Sequence, residues 1–277
     1  MRDAIFVDEI GVEYAIYEKF RLRSAYQPIF APRGELLRMV AVEAIVEAHH
    51  EGKSVHPATF LEMIGQDQRS YITALCQALH MRNFCNLALD DVRLFFDFAC
   101  DPAADDGAIS QLRQIAGRLE ELGLHPKMLM CQINAAPGVD ARFLDGILGE
   151  MRATGLGVAL NGFGVAQGGE ALLDLVRPDI VRIDGPLFAL LCTSTRAGSL
   201  LARLIAALHA HGVQVLVESI VSPHQLQVAL EAGADFLQGV LLAKPLATGA
   251  FFDHGPLVAA SLLPRAGLQE TNKKRRT

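Results

Sequence analysis

The feature that most constrains this chain is the alternation of short β-rich runs with helical runs over most of its 277 residues. β-rich runs fall at 25–30, 37–46, 92–98, 128–133, 157–161, 180–183, 213–218 and 236–239. Helical patterning falls at 9–22, 57–64, 69–89, 108–122, 140–154, 170–175, 196–211 and 223–232. A strand, a covering helix and a returning strand form a right-handed parallel unit. Seven or eight such strands with no linker between them favour a closed barrel over two domains, and a (βα)8 barrel takes roughly 250 residues. The expectation is an α/β fold: a single (βα)8-type, TIM-like barrel over 23–255. A short helical lead-in covers 1–22, and a C-terminal segment with a disordered basic tail covers 256–277.

Composition agrees with that architecture. The chain is 51% hydrophobic with 6% aromatic residues and no Trp, so its core is built from Ala, Leu, Val and Ile, as buried parallel strands require. A net charge of −6 argues against a nucleic-acid binder that works by bulk electrostatics. No apolar run reaches the roughly 18 residues of a membrane span; even 200–221 is broken by Arg203, His209, His211, Gln214 and Glu218. Asp8 and Glu9 come too early for a signal peptide. Five cysteines, odd in number and without a CxxC pair, read as buried thiols of a cytoplasmic protein. Lys273, Lys274, Arg275 and Arg276 read as a solvated terminus. Neither nucleic acid nor membrane is expected as a direct partner.

The working residues of such a barrel sit at the C-terminal ends of its strands. Those positions hold Gln27, Glu43, Asp97, Gln132, Asn161, Arg182 with Asp184, Glu218 and Gln238. An oxygen-rich ring of this kind points to hard-metal chemistry. Simpler structural readings accompany it. Glu43, Asp97 and Glu218 are read as keeping the mouth solvated, and Arg182 with Asp184, two apart on one strand, as an ion pair. His49 and His50 point to opposite sides of a strand and share no metal. Gly162, Gly164, Gly168 and Gly169 read as a linker, since the lysine of a phosphate-binding loop is missing.

Six stretches, in order, resemble the motifs of one family. They are Tyr26-Gln27-Pro28-Ile29, Val42-Glu43-Ala44-Ile45, Leu160-Asn161-Gly162-Phe163-Gly164, Pro178 through Asp184, Val217-Glu218-Ser219-Ile220-Val221, and Ala234 through Gly239 with Ala243-Lys244-Pro245-Leu246. The family is that of the EAL domains, phosphodiesterases of cyclic di-GMP and their degenerate relatives, and the resemblance covers 25–246. It implies a barrel of the EAL type, with two divalent metals that activate water against a phosphodiester. By position, Glu43 matches a metal-binding glutamate and Asp97 a metal-binding asparagine. Gln132 stands where the family has a glutamate, or Cys131 does if the alignment slips by one. Asn161 and Gly162 stand for two aspartates, Arg182 for the catalytic lysine, Glu218 for one late glutamate and Val221 for a second.

The family carries six carboxylates at these seven oxygen positions, and this chain keeps three, Glu43, Asp97 and Glu218. Mg²⁺ leaves its water reluctantly and relies on carboxylate charge, so no catalytic residue and no cofactor are expected; Mg²⁺ belongs only to a hydrolytic reading. Gln27, Ile45, Glu47, Arg182 and Gln238 occupy positions that resemble ligand contacts. At Glu47, however, the family commonly has an arginine that meets the dinucleotide phosphates, and a like charge there opposes binding. The loop from Gly162 to Gly164 lacks its anchor, because the fastening glutamate aligns with Ala135. The resemblance therefore implies a catalytically inactive regulatory protein of bacterial signalling, acting through a protein partner that no residue identifies. The alternatives are a cyclic di-GMP receptor that does not hydrolyse it and, third, an active phosphodiesterase. EAL domains often dimerise, which leaves a homodimer open, although the altered loop argues against it.

Overall fold

The structure, a computed structural model, describes residues 4–65, 68–87, 89, 91–98, 107–134, 141–163, 169–251 and 253–264. Strands β1 (Ile5–Val7) and β2 (Glu13–Tyr17) lead into two long strands, β3 (Phe20–Arg33) and β4 (Leu36–His50), and β5 (Lys53–Val55) folds back on β4. Helices α1 (Pro57–Met63) and α2 (Arg69–Cys85) follow. Strand and helix then alternate through β6 (Arg93–Phe98), α3 (Gly107–Leu122), β7 (Leu129–Ile133), α4 (Ala141–Thr154), β8 (Gly157–Phe163), α5 (Gly169–Val176) and β9 (Ile180–Ile183). The last third holds α6 (Gly185–Leu191), α7 (Thr195–Ala210), β10 (Gln214–Val217), α8 (Pro223–Glu231) and β11 (Phe236–Leu237). Short pieces close it: β12 (Leu246–Ala247), β13 (Leu257–Val258) and α9 (Ala259–Leu262).

Eight strands close into a barrel in the order β3, β11, β10, β9, β8, β7, β6, β4, and β4 returns to β3. Seven of them, from β4 through β11, run parallel. The eighth, β3, is antiparallel to both of its neighbours. This corrects the expectation of an all-parallel sheet, and the reason is local. Only Gly34 and Glu35 separate β3 from β4, and a turn that short can join antiparallel strands only; a parallel return needs a crossover of a dozen residues.

The barrel interior is stacked in layers. Ile29, Ala31, Ala41, Phe95, Met130, Ala159, Ile180, Leu216 and Phe236 form an apolar cluster of their own inside it. The outward residues of the same strands, among them Val42, Leu94, Cys131, Val158, Val181 and Val217, join the larger core under the helices. Side chains alternate at period two along a strand, so the residue two places beyond each lumen residue also points inward, one layer nearer the mouth.

The lead-in expected as helix over 9–22 is sheet instead. β2 pairs with β3 through a two-residue turn at Glu18 and Lys19, with Tyr17 opposite Phe20. A second core, with Phe20, Leu22, Ala48, Phe60, Ile72, Leu75 and Leu79, packs this arm of sheet on α1 and α2. Polar ties reinforce it. The Tyr26 hydroxyl donates to the His80 carbonyl at 2.6 Å, His80 Nδ1 meets Ser24 Oγ at 2.8 Å, and Asn83 bonds the Glu13 backbone through both ends of its amide. The segment after 256 is partly structured too: β13 pairs with β4, Leu257 opposite Leu37. The rest of that expected segment and tail, 265–277, lies outside the described residues. Cys76 and Cys131 are buried as expected, whereas Cys85 is exposed and Cys192 half-buried; Cys100 lies outside the described residues. Among the described residues, no helix is long and apolar enough to cross a membrane.

Candidate functional site

Eight of the expected mouth residues form the layer directly above the apolar lumen. Glu43, Asp97, Gln132, Asn161, Arg182, Glu218 and Gln238 each stand two residues past a lumen residue, and Gln27 stands two before Ile29 because β3 runs backward. One polar side chain thus comes from each of the eight strands or, for Glu218 and Gln238, from the residue directly after it. Period-two alternation and barrel closure bring together residues up to 211 positions apart.

Arg182 organises the ring. Its Nη1 donates to Glu43 Oε1 at 2.6 Å, and its Nη2 to Glu43 Oε2 at 3.2 Å, to Glu218 Oε2 at 2.5 Å and to Gln238 Oε1 at 3.2 Å. Gln132 Nε2 donates to Glu43 Oε1 at 3.0 Å, and Gln238 Nε2 to Glu43 Oε2 at 2.7 Å. Both oxygens of Glu43 therefore accept two hydrogen bonds each. Arg182 is buried, and Glu43 and Glu218 are half-buried, so a guanidinium charge is exchanged between two carboxylates largely out of water. Burial pushes the Glu43 carboxyl up, but the Arg182 charge and the bonds from Arg182, Gln132 and Gln238 outweigh it and hold the group below the usual carboxylate range. Burial likewise disfavours the charged guanidinium, and Glu43 and Glu218 reverse that. Asp97 opens to solvent at the rim, yet crowding by protein atoms, then the Glu43 charge, pushes its carboxyl up.

Two sequence expectations are corrected here. Glu43 and Glu218 are the anchors of a buried cation, not groups that keep the mouth solvated. Asp184 does not pair with Arg182; it caps α6, its Oδ2 accepting from the Leu187 amide at 3.3 Å. The Asp residue before a helix was a cap signal of its own, masked by the motif it sits in.

The remaining positions are quieter. Gln27 donates to the Ala243 carbonyl at 3.1 Å. Ile45 is half-buried, and Glu47 stands opposite Arg23 in the β3–β4 register. Gly162 has φ +67° beside an irregularity in the β8–β9 pairing. An aspartate there would sit in a conformation that L side chains rarely adopt. Asn161 Oδ1 and Gln132 Oε1 are shut away from solvent without a hydrogen-bond partner among the described residues. Gly164, Gly168 and Ala135 lie outside the described residues. Among the described residues, no three His, Cys, Asp or Glu side chains converge as metal ligands. Sequence reasoning missed the direct Glu43–Gln132 bond, and it missed Ser219, which follows Glu218 at φ +60°. It also missed a basic cleft on the sheet arm, described below.

Comparison with known proteins gives the frame for this ring. The family model described as EAL domain matches residues 12–245. Cyclic di-GMP phosphodiesterase RocR of Pseudomonas aeruginosa is 24% identical over 150 residues, which is 53% of this chain and 38% of that protein; the match spans well under half of RocR. Among solved structures, PaMucR phosphodiesterase in complex with c-di-GMP superposes with a TM-score of 0.71 at 21% identity, covering 81% of this chain and 92% of that one. A standalone EAL protein from Vibrio cholerae O395, in its c-di-GMP-bound form, gives 0.68 at 19% identity over 83% and 94%. BlrP1 of Klebsiella pneumoniae, as a manganese/cy-diGMP complex, gives 0.74 at 18% identity over 86% and 59%. At these identities the structural likeness speaks for the fold alone.

Proposed function

We propose that this chain, which belongs to the EAL domain family, is a catalytically silent EAL domain of cyclic di-GMP signalling that works through a protein partner in the cytoplasm. The observation that carries this reading is Arg182. Its guanidinium bonds both Glu43 and Glu218 and supplies from within the chain the positive charge that those carboxylates would otherwise receive from a metal.

The donor set fits a pair of divalent cations poorly. Every lone-pair site of Glu43 is in use, and Gln132 turns its amide NH₂ toward it. The orphan oxygens of Gln132 and Asn161 are neutral acceptors suited to a water, and Gly162 has no side chain. Mg²⁺ demands near-octahedral oxygen and carboxylate charge, and two such ions require a bridging carboxylate. Glu47, a carboxylate on the face of β4 that carries Glu43, opposes a dinucleotide phosphate. The cysteines among the described residues form no disulfide, which suits the cytoplasm.

The decisive experiment pairs a hydrolysis assay with calorimetry. Cyclic di-GMP is incubated with the protein and Mg²⁺ or Mn²⁺, then titrated with Ca²⁺ present. The expected result is no turnover and no binding up to high micromolar nucleotide. Micromolar binding without turnover would replace this reading with that of a nucleotide receptor; turnover would overturn both. In cells, a chain that acts through its surface keeps its function when Glu218→Gln replaces the wild type in a deletion strain, and loss of complementation by a variant that melts like the wild type would count against a partner-based role.

A further inference from the structure

We propose a second binding site, for a phosphate-class oxyanion, on the arm of sheet that β3 and β4 raise beyond the barrel mouth. A cleft of about 270 Å³ opens there, lined by Lys19, Arg21, Arg23, His49, Glu51 and Gly52. The register sets Arg21 opposite His49 and Arg23 opposite Glu47, and alternation puts these pairs on the sheet face that carries Gln27 and Glu43. Six residues of strand, about 20 Å, separate His49 from Glu43, so the cleft is a distinct place from the ring. The inference does not depend on whether the ring is catalytically silent.

Three cationic side chains and one carboxylate, Glu51, line the cleft, and two further acids stand near it. The nearby acids are Asp8, which engages Arg23 at 3.2 Å, and Glu47. Arg21 is held flat on the Tyr14 ring, its guanidinium carbon 3.8 Å from the centroid; a stacked guanidinium keeps its N–H edge free to meet oxygen. Arg23 Nε and His49 Nδ1 are both shut away from solvent and have no hydrogen-bond partner among the described residues.

A tetrahedral oxyanion suits these cations, since it brings several strong acceptors and negative charge to a forked donor. The cleft lies just below the roughly 300–1,000 Å³ of a drug-sized ligand site. It accommodates a phosphate group with a small organic body, not a dinucleotide. The chemistry that recognises it is that of a phosphate monoester or free phosphate.

The test is isothermal titration of inorganic phosphate, and separately of a nucleoside 5′-monophosphate, into the full chain at low ionic strength. Wild type is expected to bind one equivalent with a dissociation constant of millimolar or tighter. Lys19→Ala with Arg21→Ala, both exposed positions, is expected to weaken binding at least tenfold, and His49→Gln three- to fivefold. Arg196→Ala, outside the cleft, is expected to leave it unchanged. Tighter binding of the monophosphate identifies an organic phosphate as the ligand, and equal binding identifies the free ion. No heat with wild type, a double variant within twofold of it, or an equal loss in Arg196→Ala overturns the proposal. Melting temperatures of the variants separate lost binding from lost folding.

Discussion

Ser219 is the residue where backbone strain meets the mouth. It follows Glu218 directly at φ +60°, where a residue with a Cβ costs about 1–2 kcal/mol relative to its ordinary conformation. The facing position is accordingly a glycine: a Cβ on Gly185 would lie 2.5 Å from Ser219 Oγ. Ser219→Gly is expected to stabilise the protein by about 0.5–1 kcal/mol, after the greater freedom of glycine in the unfolded chain is subtracted. Denaturant titration reads this as a higher midpoint at unchanged slope. Arg182→Gln acts in the opposite direction. It strands two partly buried carboxylates and is expected to cost about 3–5 kcal/mol. In the wild type the lowered Glu43 carboxyl contributes stability above the unfolded carboxylate range, and that stability is lost as pH falls through the folded value. In Arg182→Gln only the bonds from Gln132 and Gln238 still oppose the burial of Glu43, so the variant should lose less stability on acidification than wild type. Melting curves between pH 3 and 7 check the sign. The ring itself was legible in the sequence, because polar residues at the C-terminal ends of apolar strands have one place to go in a barrel. Which of them bond each other was not legible. The Arg182 partners come from β4, β10 and β11, and local spacing favoured Asp184.

At the scale of elements, the strand–helix alternation was readable and β9 matches its expected span, while the lead-in was not. Its run from Val12 to Leu22 carries Glu, Lys, Ala and Leu, which are compatible with helix, and the hairpin at Glu18 and Lys19 has none of the Asn-Gly or Asp-Gly signals that announce a two-residue turn. Glu18 adopts φ +50° without them, held by pairing on both sides and by Asn83 of α2. Tertiary packing overrode local preference. The docking of α2 on β3 also sets a pH dependence. Burial holds His80 neutral and pushes its imidazole down to about 4. A histidine lowered from 6.5 contributes stability that is complete above pH 6.5 and is lost between pH 6.5 and 4, where the unfolded chain binds the extra proton. The loss amounts to about 3 kcal/mol. His80→Asn, which keeps a polar group for Ser24, should flatten the slope of stability against pH across that window.

At the scale of the whole molecule, the described residues form three apolar clusters: the barrel lumen, the large layer between barrel and helices, and a smaller one under the β2–β3–β4 arm. Native-state hydrogen exchange is expected to find the amides of β2 opening at lower free energy than those of β9, as a separate unit; identical protection would show one cooperative block. Barrel closure depends on a close backbone approach after β11, where a Cβ on Gly239 would lie 2.1 Å from the Ile220 carbonyl oxygen. Gly239→Ala has no side-chain movement to relieve it and should lower the melting temperature by about 10 °C or more, if it folds. The Arg182 network joins β4, β7, β9, β10 and β11 across the barrel mouth. It therefore behaves as a tethered competitor. Groups held in place by a fold act at effective concentrations far above those of any solute, so a cation entering the mouth must displace a rival that never diffuses away. Titrations of divalent ions should then show an apparent affinity reduced by a constant factor that protein dilution does not change.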